Sequence, residues 1–200
     1  RELFAQSDAF RADLAASLNN LAGDLYAVGR PEDALNAVQE AVDHYRVLDA
    51  QKPDVFRPDL ALTLNNLSNG WYGLGRSDLA VKAIRESVDL RRELAAQRTA
   101  IFRPYLVVSL INLADRLRDS GEFAPAMEAA REAVELSREL EVQRPDACRK
   151  LLANALAALS LCLSDQDSRE ALERQQEAVQ LFRQLAQQRA EAFLSDLAKS

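Results

Sequence analysis

One motif returns at a fixed interval along the whole chain, and this interval constrains the fold more than any other feature. Phe-Arg-x-x-Leu begins at Phe10, Phe56 and Phe102, 46 residues apart, and Cys148-Arg-x-x-Leu continues the series. Three other signatures keep the same step: Leu-Asn-Asn-Leu at 18–21 and 64–67, a glycine at 29, 75 and 121, and Glu-x-Val at 40–42, 86–88 and 132–134. A period in this range indicates stacked supersecondary repeats rather than one globular core.

The period divides the chain into four repeats, with a partial repeat at either end. We define repeats 1 to 4 as residues 10–55, 56–101, 102–147 and 148–192. Residues 1–9 would then be the tail of a preceding repeat, and residues 193–200 the start of a further one. Glu-Ala-Val at 177–179 arrives one residue early, so repeat 4 has lost a residue near 165–170. Because both ends fall inside repeats and lack a polar cap, we expect the chain to be a segment of a longer protein.

Each repeat is predicted to form two helices. In repeat 1, leucines at spacings of three and four indicate a first helix from about Ala12 to Val28. Gly29 supplies the left-handed conformation that ends a helix, and Pro31 suits the first position of the second helix. In repeat 2, Ser77 is the expected N-cap of the second helix.

Prolines are expected at the junctions between repeats. Pro53 and Pro145 should stop the second helix of their repeats, because proline clashes within a helix interior. Pro58 and Pro104 should then start the next first helix. No segment alternates apolar and polar residues, so we expect no strands. Small residues at fixed positions indicate closely stacked helices: Ala22, Ser68, Ala114 and Ser160 in the first helices, and Ala34, Ala80, Ala126 and Ala171 in the second helices.

The apolar, small and glycine positions of repeat 1 have a characteristic spacing: Leu21, Ala22, Leu25, Gly29, Ala34, Val38 and Ala41. This spacing resembles the tetratricopeptide signature, although Leu25 replaces the usual aromatic residue, Asp167 replaces the glycine in repeat 4, and the usual period is about 34. The long period is similar to that of repeats in kinesin light chain and in bacterial and fungal signalling proteins. HEAT and armadillo repeats also span about 40–47 residues, but the glycine turn favours the tetratricopeptide resemblance. The resemblance implies an all-α, right-handed superhelical solenoid of antiparallel helix hairpins.

Composition and chemistry argue against several functional classes. The net charge of −6 argues against a nucleic-acid binder, and no apolar run approaches the roughly 20 residues of a membrane span. Cys148 and Cys162 are too few for a disulfide framework, so we expect a reducing cytoplasm. His44 is the only histidine, and leucines replace it at 90, 136 and 181, so it should pack at the edge of the repeat core. We therefore expect no metal site, no cofactor and no enzymatic activity.

The tetratricopeptide resemblance implies that certain positions of the first helices line a groove and face a ligand. The candidate ligand-binding residues at these positions are Asn19, Tyr26, Asn65, Asn69, Tyr72, Asp115, Arg118 and Asn154. A second set of asparagines recurs at the 46-residue step: Asn20, Asn66 and Asn112. A carboxamide both donates and accepts hydrogen bonds, so these residues can grip an extended peptide backbone or hold neighbouring helices in register. We favour the ligand role for Asn19 and Asn65, and the register role for the second set.

These expectations point to a module that binds a protein or peptide partner, as the sensor or scaffold part of a larger multidomain signalling protein. The alternative is an architectural spacer or a self-association array whose groove holds no ligand. End-to-end self-association through the uncapped termini is a further alternative. Arg118 is the only cation among the groove positions, which argues against a carboxylate clamp for chaperone tails.

Overall fold

The computed structural model describes residues 2–164 and 167–197, and these residues fold into helices joined by short links. Eight helices follow one another in this part of the chain: α1 Glu2–Ala27, α2 Pro31–Gln51, α3 Pro53–Gly73, α4 Ser77–Gln97, α5 Thr99–Asp119, α6 Phe123–Gln143, α7 Pro145–Leu163 and α8 Ser168–Leu197. No strand occurs among the described residues. The expected all-α fold of helix hairpins is thereby confirmed.

The chain divides into two compact halves, residues 1–102 and residues 103–200. In the N-terminal half, α2 packs against both α1 and α3, and α3 also packs against α4. In the C-terminal half, α7 packs against both α6 and α8. No hairpin can bury its apolar face alone, so this stacking builds the core of each half. The largest fully buried side chains include Val42, Leu48, Leu64, Ile84 and Val88 in the N-terminal half and Val107, Leu110, Leu117, Leu156 and Leu163 in the C-terminal half.

The predicted glycine turns join the two helices of repeats 1 to 3. Gly29, Gly75 and Gly121 have φ angles of +77°, +71° and +80°, a left-handed conformation that glycine adopts without steric cost. The residue after each glycine donates its N–H to a carbonyl five residues earlier, as Arg30 does to Leu25 at 2.9 Å. This is the hydrogen bond of a Schellman C-cap, and it turns the chain into the second helix.

From Leu163 to Asp167, repeat 4 is one residue shorter than repeat 3 is between the equivalent Leu117 and Glu122. Asp167 donates its N–H to the carbonyl of Leu163, four residues earlier, whereas the equivalent Glu122 reaches back five residues to Leu117. The lost residue therefore lies between Leu163 and Asp167. Asp167 does not take the glycine position that the sequence suggested. It is the N-cap of α8, where its Oδ1 accepts the backbone N–H of Glu170 at 2.9 Å, a role that aspartate fills well.

The prediction that Pro58 and Pro104 start first helices is wrong. Both lie inside helices, α3 and α5, which begin five residues earlier. In α3 the N–H of Phe56 donates to the carbonyl of Lys52 at 3.1 Å, so the first turn is closed before Pro58. Proline at this position removes a single intrahelical hydrogen bond. The packing of α3 against α2 and α4 compensates for the lost hydrogen bond.

The prediction of Ser77 as an N-cap is also wrong. Ser77 is the first residue of α4, and Arg76 occupies the cap without a side-chain cap hydrogen bond. The N–H of Arg76 donates to the carbonyl of Trp71 at 2.9 Å. Arg76 therefore closes α3 and opens α4 at once, and the link has no room for a separate serine cap.

The first and last helices are longer than the repeat pattern predicts. α1 runs without a break from Glu2, well before Ala12, and α8 is a single helix of 30 residues. Breaks between repeats occur at Lys52, Arg98 and Arg144, and prolines follow the first and the last of them. At the positions that correspond to these prolines, α1 and α8 have Ser7 and Ala190. Neither residue lacks the N–H that extends a helix, so neither imposes a stop.

The predicted small residues hold paired helices close together. All eight of them are buried: Ala22, Ser68, Ala114, Ser160, Ala34, Ala80, Ala126 and Ala171. In two hairpins a hydrogen bond joins the helices at this contact. Ser68 Oγ donates to the carbonyl of Ala80, and Ser160 Oγ donates to that of Ala171, each at 2.9 Å. A larger side chain here would push the two backbones apart.

The arginine of the Phe-Arg motif ties a first helix to its neighbouring second helices. Arg57 Nε donates to Asp49 Oδ1 at 3.3 Å, and Arg57 Nη1 donates to Glu93 Oε2 at 2.8 Å. The equivalent pair in the next repeat joins Arg103 to Glu139. The Phe-Arg motif was recognised by its period alone, without a role for the arginine. Because such partly exposed pairs each contribute little stability, their recurrence fits a role in setting register.

Candidate functional site

Four of the candidate residues lie together around one cavity in the N-terminal half. The cavity has a volume of about 340 Å³, lies between α1, α2 and α3, and is lined by Asn19, Tyr26, Asn66 and Asn69. The rest of its lining consists of small or aliphatic residues: Ala22, Gly23, Ala34, Val38 and Gly70. The structure thus places two asparagines of the first candidate set, one of the second set and a tyrosine at the same site.

Two glycines inside helices make room for this cavity. A Cβ atom built on Gly23 would meet no atom within 4 Å, so the missing side chain leaves open space. A Cβ atom on Gly70 would lie 3.2 Å from Leu35 Cδ1, so this glycine lets α2 approach α3 closely. The position of Gly23 carries asparagine, aspartate and leucine in repeats 2 to 4. Repeat 1 alone leaves this position without a side chain.

Asn19 and Asn66 are bonded to each other across the cavity. Asn66 Nδ2 donates to Asn19 Oδ1 at 3.0 Å, which links α1 to α3. Asn66 therefore has the contact that a register role requires, and Asn19 shares it. A carboxamide pair joined in this way keeps a donor on Asn19 Nδ2 and an acceptor on Asn66 Oδ1. The pair can hold two helices together and still present both groups that a peptide unit needs.

The other candidate asparagines lie outside the cavity lining. Asn65 is buried, with 6% of its surface exposed, so its side chain offers little area to a ligand. Asn20 is exposed on α1, Asn112 is half-buried on α5, and Asn154 is exposed on α7. The site residues predicted from sequence therefore divide into a group around the cavity and several that lie apart from it.

The tyrosines Tyr26 and Tyr72 extend the site beyond the cavity. Tyr26 is 58% exposed, although its ring rests against α3, where a Cβ atom on Gly73 would lie 3.4 Å from Tyr26 Oη. Tyr72 is exposed on α3, next to Gly73. An exposed tyrosine presents an apolar ring and a hydroxyl with little entropy to lose, which suits it to contacts with a partner.

The equivalent positions in repeat 3 are charged and paired. Arg118 donates from Nη2 to Asp119 Oδ1 at 2.9 Å and from Nη1 to Asp115 Oδ1 at 3.5 Å. Burial raises the pKa of Asp115 above its ordinary 3.8, although the positive charges of Arg118 and Arg116 act to lower it. Two carboxylates thus surround the one groove arginine. Arg118 is poorly suited to capture an anionic ligand.

The groups with catalytic potential fit structural roles. Burial raises the pKa of the Cys162 thiol to about 11, so this buried thiol is protonated at neutral pH and is a weak nucleophile. His44 is half-buried with its Nε2 3.7 Å from Glu40 Oε1, consistent with the expected edge of the core. Within residues 2–164 and 167–197 no group of three His, Cys, Asp or Glu side chains could hold a metal ion. No described helix combines the length and the apolar character needed to cross a membrane.

The apolar lining of the cavity could be predicted from the sequence only in part. Ala34 and Val38 were recognised only as packing residues, and Gly70 was given no role, whereas Gly23 lies at one of the groove positions that the tetratricopeptide resemblance implies. A signal existed in the glycines, because a glycine within a helix costs about 1 kcal/mol relative to alanine and calls for a reason. In repeat 1 that reason is open space beside α1.

The sequence comparisons place the repeats in a known class. The family model described as tetratricopeptide repeat matches residues 14–48, 60–95 and 106–143. These three stretches cover more than half of the chain and coincide with the paired helices of repeats 1 to 3. No curated protein matches the chain at a significant level.

Solved structures with low sequence identity share the fold. BtubC (BKLC) from P. vanneervenii has a TM-score of 0.69 at 19% identity, covering 92% of this chain and 68% of that chain. A second structure contains the nearly identical TPR-like repeats of a Podospora anserina protein described as a putative kinesin light chain. Its TM-score is 0.63 at 19% identity, covering 90% of this chain and 84% of that chain. MamA has a TM-score of 0.58 at 17% identity, covering 86% of this chain and 81% of that chain. At these identities the likeness establishes the helical-repeat fold alone.

Proposed function

Because this chain belongs to the tetratricopeptide repeat family, whose members are in general protein-interaction or scaffold modules, we propose that it binds an extended peptide segment of a partner protein. The cavity between α1, α2 and α3 carries this proposal. Three asparagines and a tyrosine line it, and none of its lining residues bears a charge at neutral pH. Such a site suits an uncharged, hydrogen-bonding ligand, and the peptide backbone is one.

The peptide would lie across the first helices, with its backbone at the cavity mouth. Asn19 and Asn66 would meet one peptide unit, with Asn69 beside them and the rings of Tyr26 and Tyr72 against flanking residues. This contact leaves out Asp115, Arg118 and Asn154, which lie in the C-terminal half. Backbone recognition of this kind tolerates variation in the peptide sequence, which leaves specificity to side-chain contacts.

The wider setting of this module is also a proposal. We place it as the non-catalytic sensor or scaffold part of a larger signalling protein in the cytoplasm. The resemblance of its long repeats to those of signalling proteins supports the signalling role. Cys148 and Cys162 are both free thiols, which suits a reducing compartment.

The test begins with peptides selected from a random library displayed on phage against the immobilised chain. Fluorescence anisotropy then gives the affinity of an enriched peptide. Tyr26→Ala and Asn69→Ala should each weaken binding by roughly tenfold, with an unchanged melting temperature. Arg118→Gln, in the other half, is the control and should bind nearly as the parent does. An absence of enriched peptides, or equal affinities for all three variants, would contradict the proposal.

A second candidate function is self-association, and the outer face of α1 favours it. Leu14 and Leu21 are 45% and 46% exposed, whereas the equivalent Leu60 and Leu67 of repeat 2 are 3% and 4% exposed. In α8, Leu172 and Val179 are likewise exposed at positions that are buried in α2. A second copy could therefore pack its α1 against α8, as successive repeats pack within one chain.

The recurring ion pairs supply a test of this second function. Arg46 pairs with Glu86 at 2.8 Å, and at the equivalent positions Arg138 pairs with Glu177 at 3.2 Å. The next pair in this series would join Arg183 of one copy to Glu40 of another. In sedimentation velocity, Arg183→Glu and Glu40→Arg should each weaken association, and a mixture of the two variants should restore it. A chain that stays monomeric at high concentration would exclude this function and leave peptide binding unaffected.

A further inference from the structure

We propose that the cavity takes one uncharged, apolar side chain of the bound peptide, of about the size of leucine or phenylalanine. This inference rests on the proposed peptide-binding function and names the ligand chemistry that the site selects. The amides at the cavity would hold the backbone, and the cavity itself would decide which residue is accepted at one position of the peptide.

The lining of the cavity is apolar apart from the amides and the tyrosine hydroxyl. Ala22, Ala34 and Val38 are buried within the protein core and still border the cavity, so their methyl groups form part of its wall. Gly23 and Gly70 add backbone without side chains. An apolar side chain that enters this space loses contact with water where it meets these groups, which is the source of hydrophobic binding energy.

The same lining disfavours a charged side chain. None of the nine lining residues is acidic or basic. A carboxylate or ammonium group placed here would lose hydration and find no opposite charge, and the cost of burying an unpaired charge is large. The space beside Arg118 is different, because two carboxylates and a guanidinium lie there within hydrogen-bonding distance.

The volume is sufficient for a leucine or phenylalanine side chain. At about 340 Å³ the cavity lies at the lower end of the range of about 300–1,000 Å³ for small-ligand sites. Gly23 keeps this volume open, since a side chain built there would project into empty space. One side chain fits, and the adjoining peptide groups remain at the mouth, beside Asn19 and Asn66.

Blocked pentapeptides of the form Gly-Gly-Xaa-Gly-Gly provide the probe. Titration into ¹⁵N-labelled protein follows the side-chain amide signals of Asn19, Asn66 and Asn69. Peptides with leucine or phenylalanine at Xaa should shift these signals and bind roughly tenfold or more tightly than the peptide with glycine, the ratio expected for burying such a side chain. Peptides with aspartate or lysine should bind no better than the glycine peptide.

Gly23→Leu tests the same inference by filling the cavity from inside. The variant should bind the leucine peptide roughly tenfold more weakly, and its melting temperature should stay the same or rise, because leucine is a better helix former than glycine. Ser17→Leu is the matched control. It places the same leucine side chain at an exposed position of α1 outside the cavity lining and should leave binding unchanged.

The outcomes separate this inference from the proposed function. Equal affinities for the leucine and glycine peptides, or unchanged binding by Gly23→Leu, would overturn the side-chain inference and leave backbone recognition standing. If no pentapeptide binds, a phage-selected peptide with equal affinity for the parent and for Gly23→Leu would also overturn the side-chain inference. If neither the pentapeptides nor any phage-selected peptide binds, the proposed function itself is overturned.

Discussion

The groove positions of repeat 1 and repeat 3 are built on the same scaffold and differ completely in chemistry. In the N-terminal half, Gly23 and Tyr26 border a cavity with no charged lining. In the C-terminal half, the same positions hold Asp115 and Arg118, which lie 3.5 Å apart as an ion pair. The chemistry of the groove can therefore change from repeat to repeat without any change in the fold.

The positions that carry the fold show the opposite behaviour. Leu64 and Leu110 occupy the same place in repeats 2 and 3, and both are completely buried. Gly75 and Gly121 have nearly the same left-handed φ. The comparison teaches that core and turn positions are fixed by packing and backbone geometry. Groove positions are free to define a ligand.

The largest expected effect tests whether the two halves really share one scaffold. Leu64→Ala and Leu110→Ala each leave a cavity in a fully packed core and should each lower the free energy of unfolding by about 2–5 kcal/mol. Urea denaturation followed by circular dichroism measures both. If one substitution costs a few tenths of a kcal/mol while the other costs several, the halves are not equivalent and the comparison fails.

The next effect separates two kinds of glycine. Gly75→Ala and Gly121→Ala force a side chain into the left-handed region and should each cost about 1–2 kcal/mol. Gly23 lies in an α-helix beside open space, so Gly23→Ala should raise the free energy of unfolding by about 0.5–1 kcal/mol. Thermal denaturation of the three variants gives the signs. A destabilised Gly23→Ala would show that the cavity beside α1 is not open.

A smaller effect tests whether the hydrogen bond between Asn19 and Asn66 stabilises the N-terminal half. A double-mutant cycle with Asn19→Ala and Asn66→Ala should give a coupling of about 0.5–1.5 kcal/mol in the free energy of unfolding, because the two side chains share a hydrogen bond. Asn20→Ala, on the exposed face of α1, is the control and should not couple to Asn66→Ala. Additive effects of Asn19→Ala and Asn66→Ala would remove the register role.

The smallest effect concerns charge in the C-terminal half. The pKa of Asp115 is raised, mainly by burial, so the folded state favours its protonated form. Stability from this group is present below its ordinary pKa of 3.8 and is lost as the pH rises through the raised value. Asp115→Asn cannot ionise and should be more stable than the parent at neutral pH by a few tenths of a kcal/mol. Urea titrations from neutral to acidic pH should show this difference shrinking, and a difference that grows towards low pH would contradict the sign.

The scaffold could be predicted from the sequence because its rules are local and repeat. The glycine turns and the small residues from Ala22 to Ala171 appeared in the sequence and appear in the structure in the same roles. The helix starts at Pro58 and Pro104 were predicted wrongly, because tertiary packing outweighs the single hydrogen bond that each proline removes. The shift of Asp167 to an N-cap followed from a one-residue deletion whose place the sequence left uncertain within a few residues.

The site could be predicted only in part, because it depends on where neighbouring helices bring side chains together. The sequence marked Asn19, Tyr26 and Asn69 as groove residues, and the structure places them around one cavity. It did not reveal that Asn66 bonds Asn19 or that Asn65 is buried. Both facts depend on the rotation of α3 against α1. The period of a repeat does not determine which side chain of α3 this rotation places against α1.

The central claim is that an extended peptide binds in the cavity of the N-terminal half. The most direct test is a set of intermolecular nuclear Overhauser effects between a phage-selected peptide and the labelled chain. The account predicts contacts from the peptide to the Tyr26 ring and to the side-chain amides of Asn19 and Asn66. Contacts to Arg118 alone, or to Leu14 and Leu21 on the outer face of α1, would contradict it.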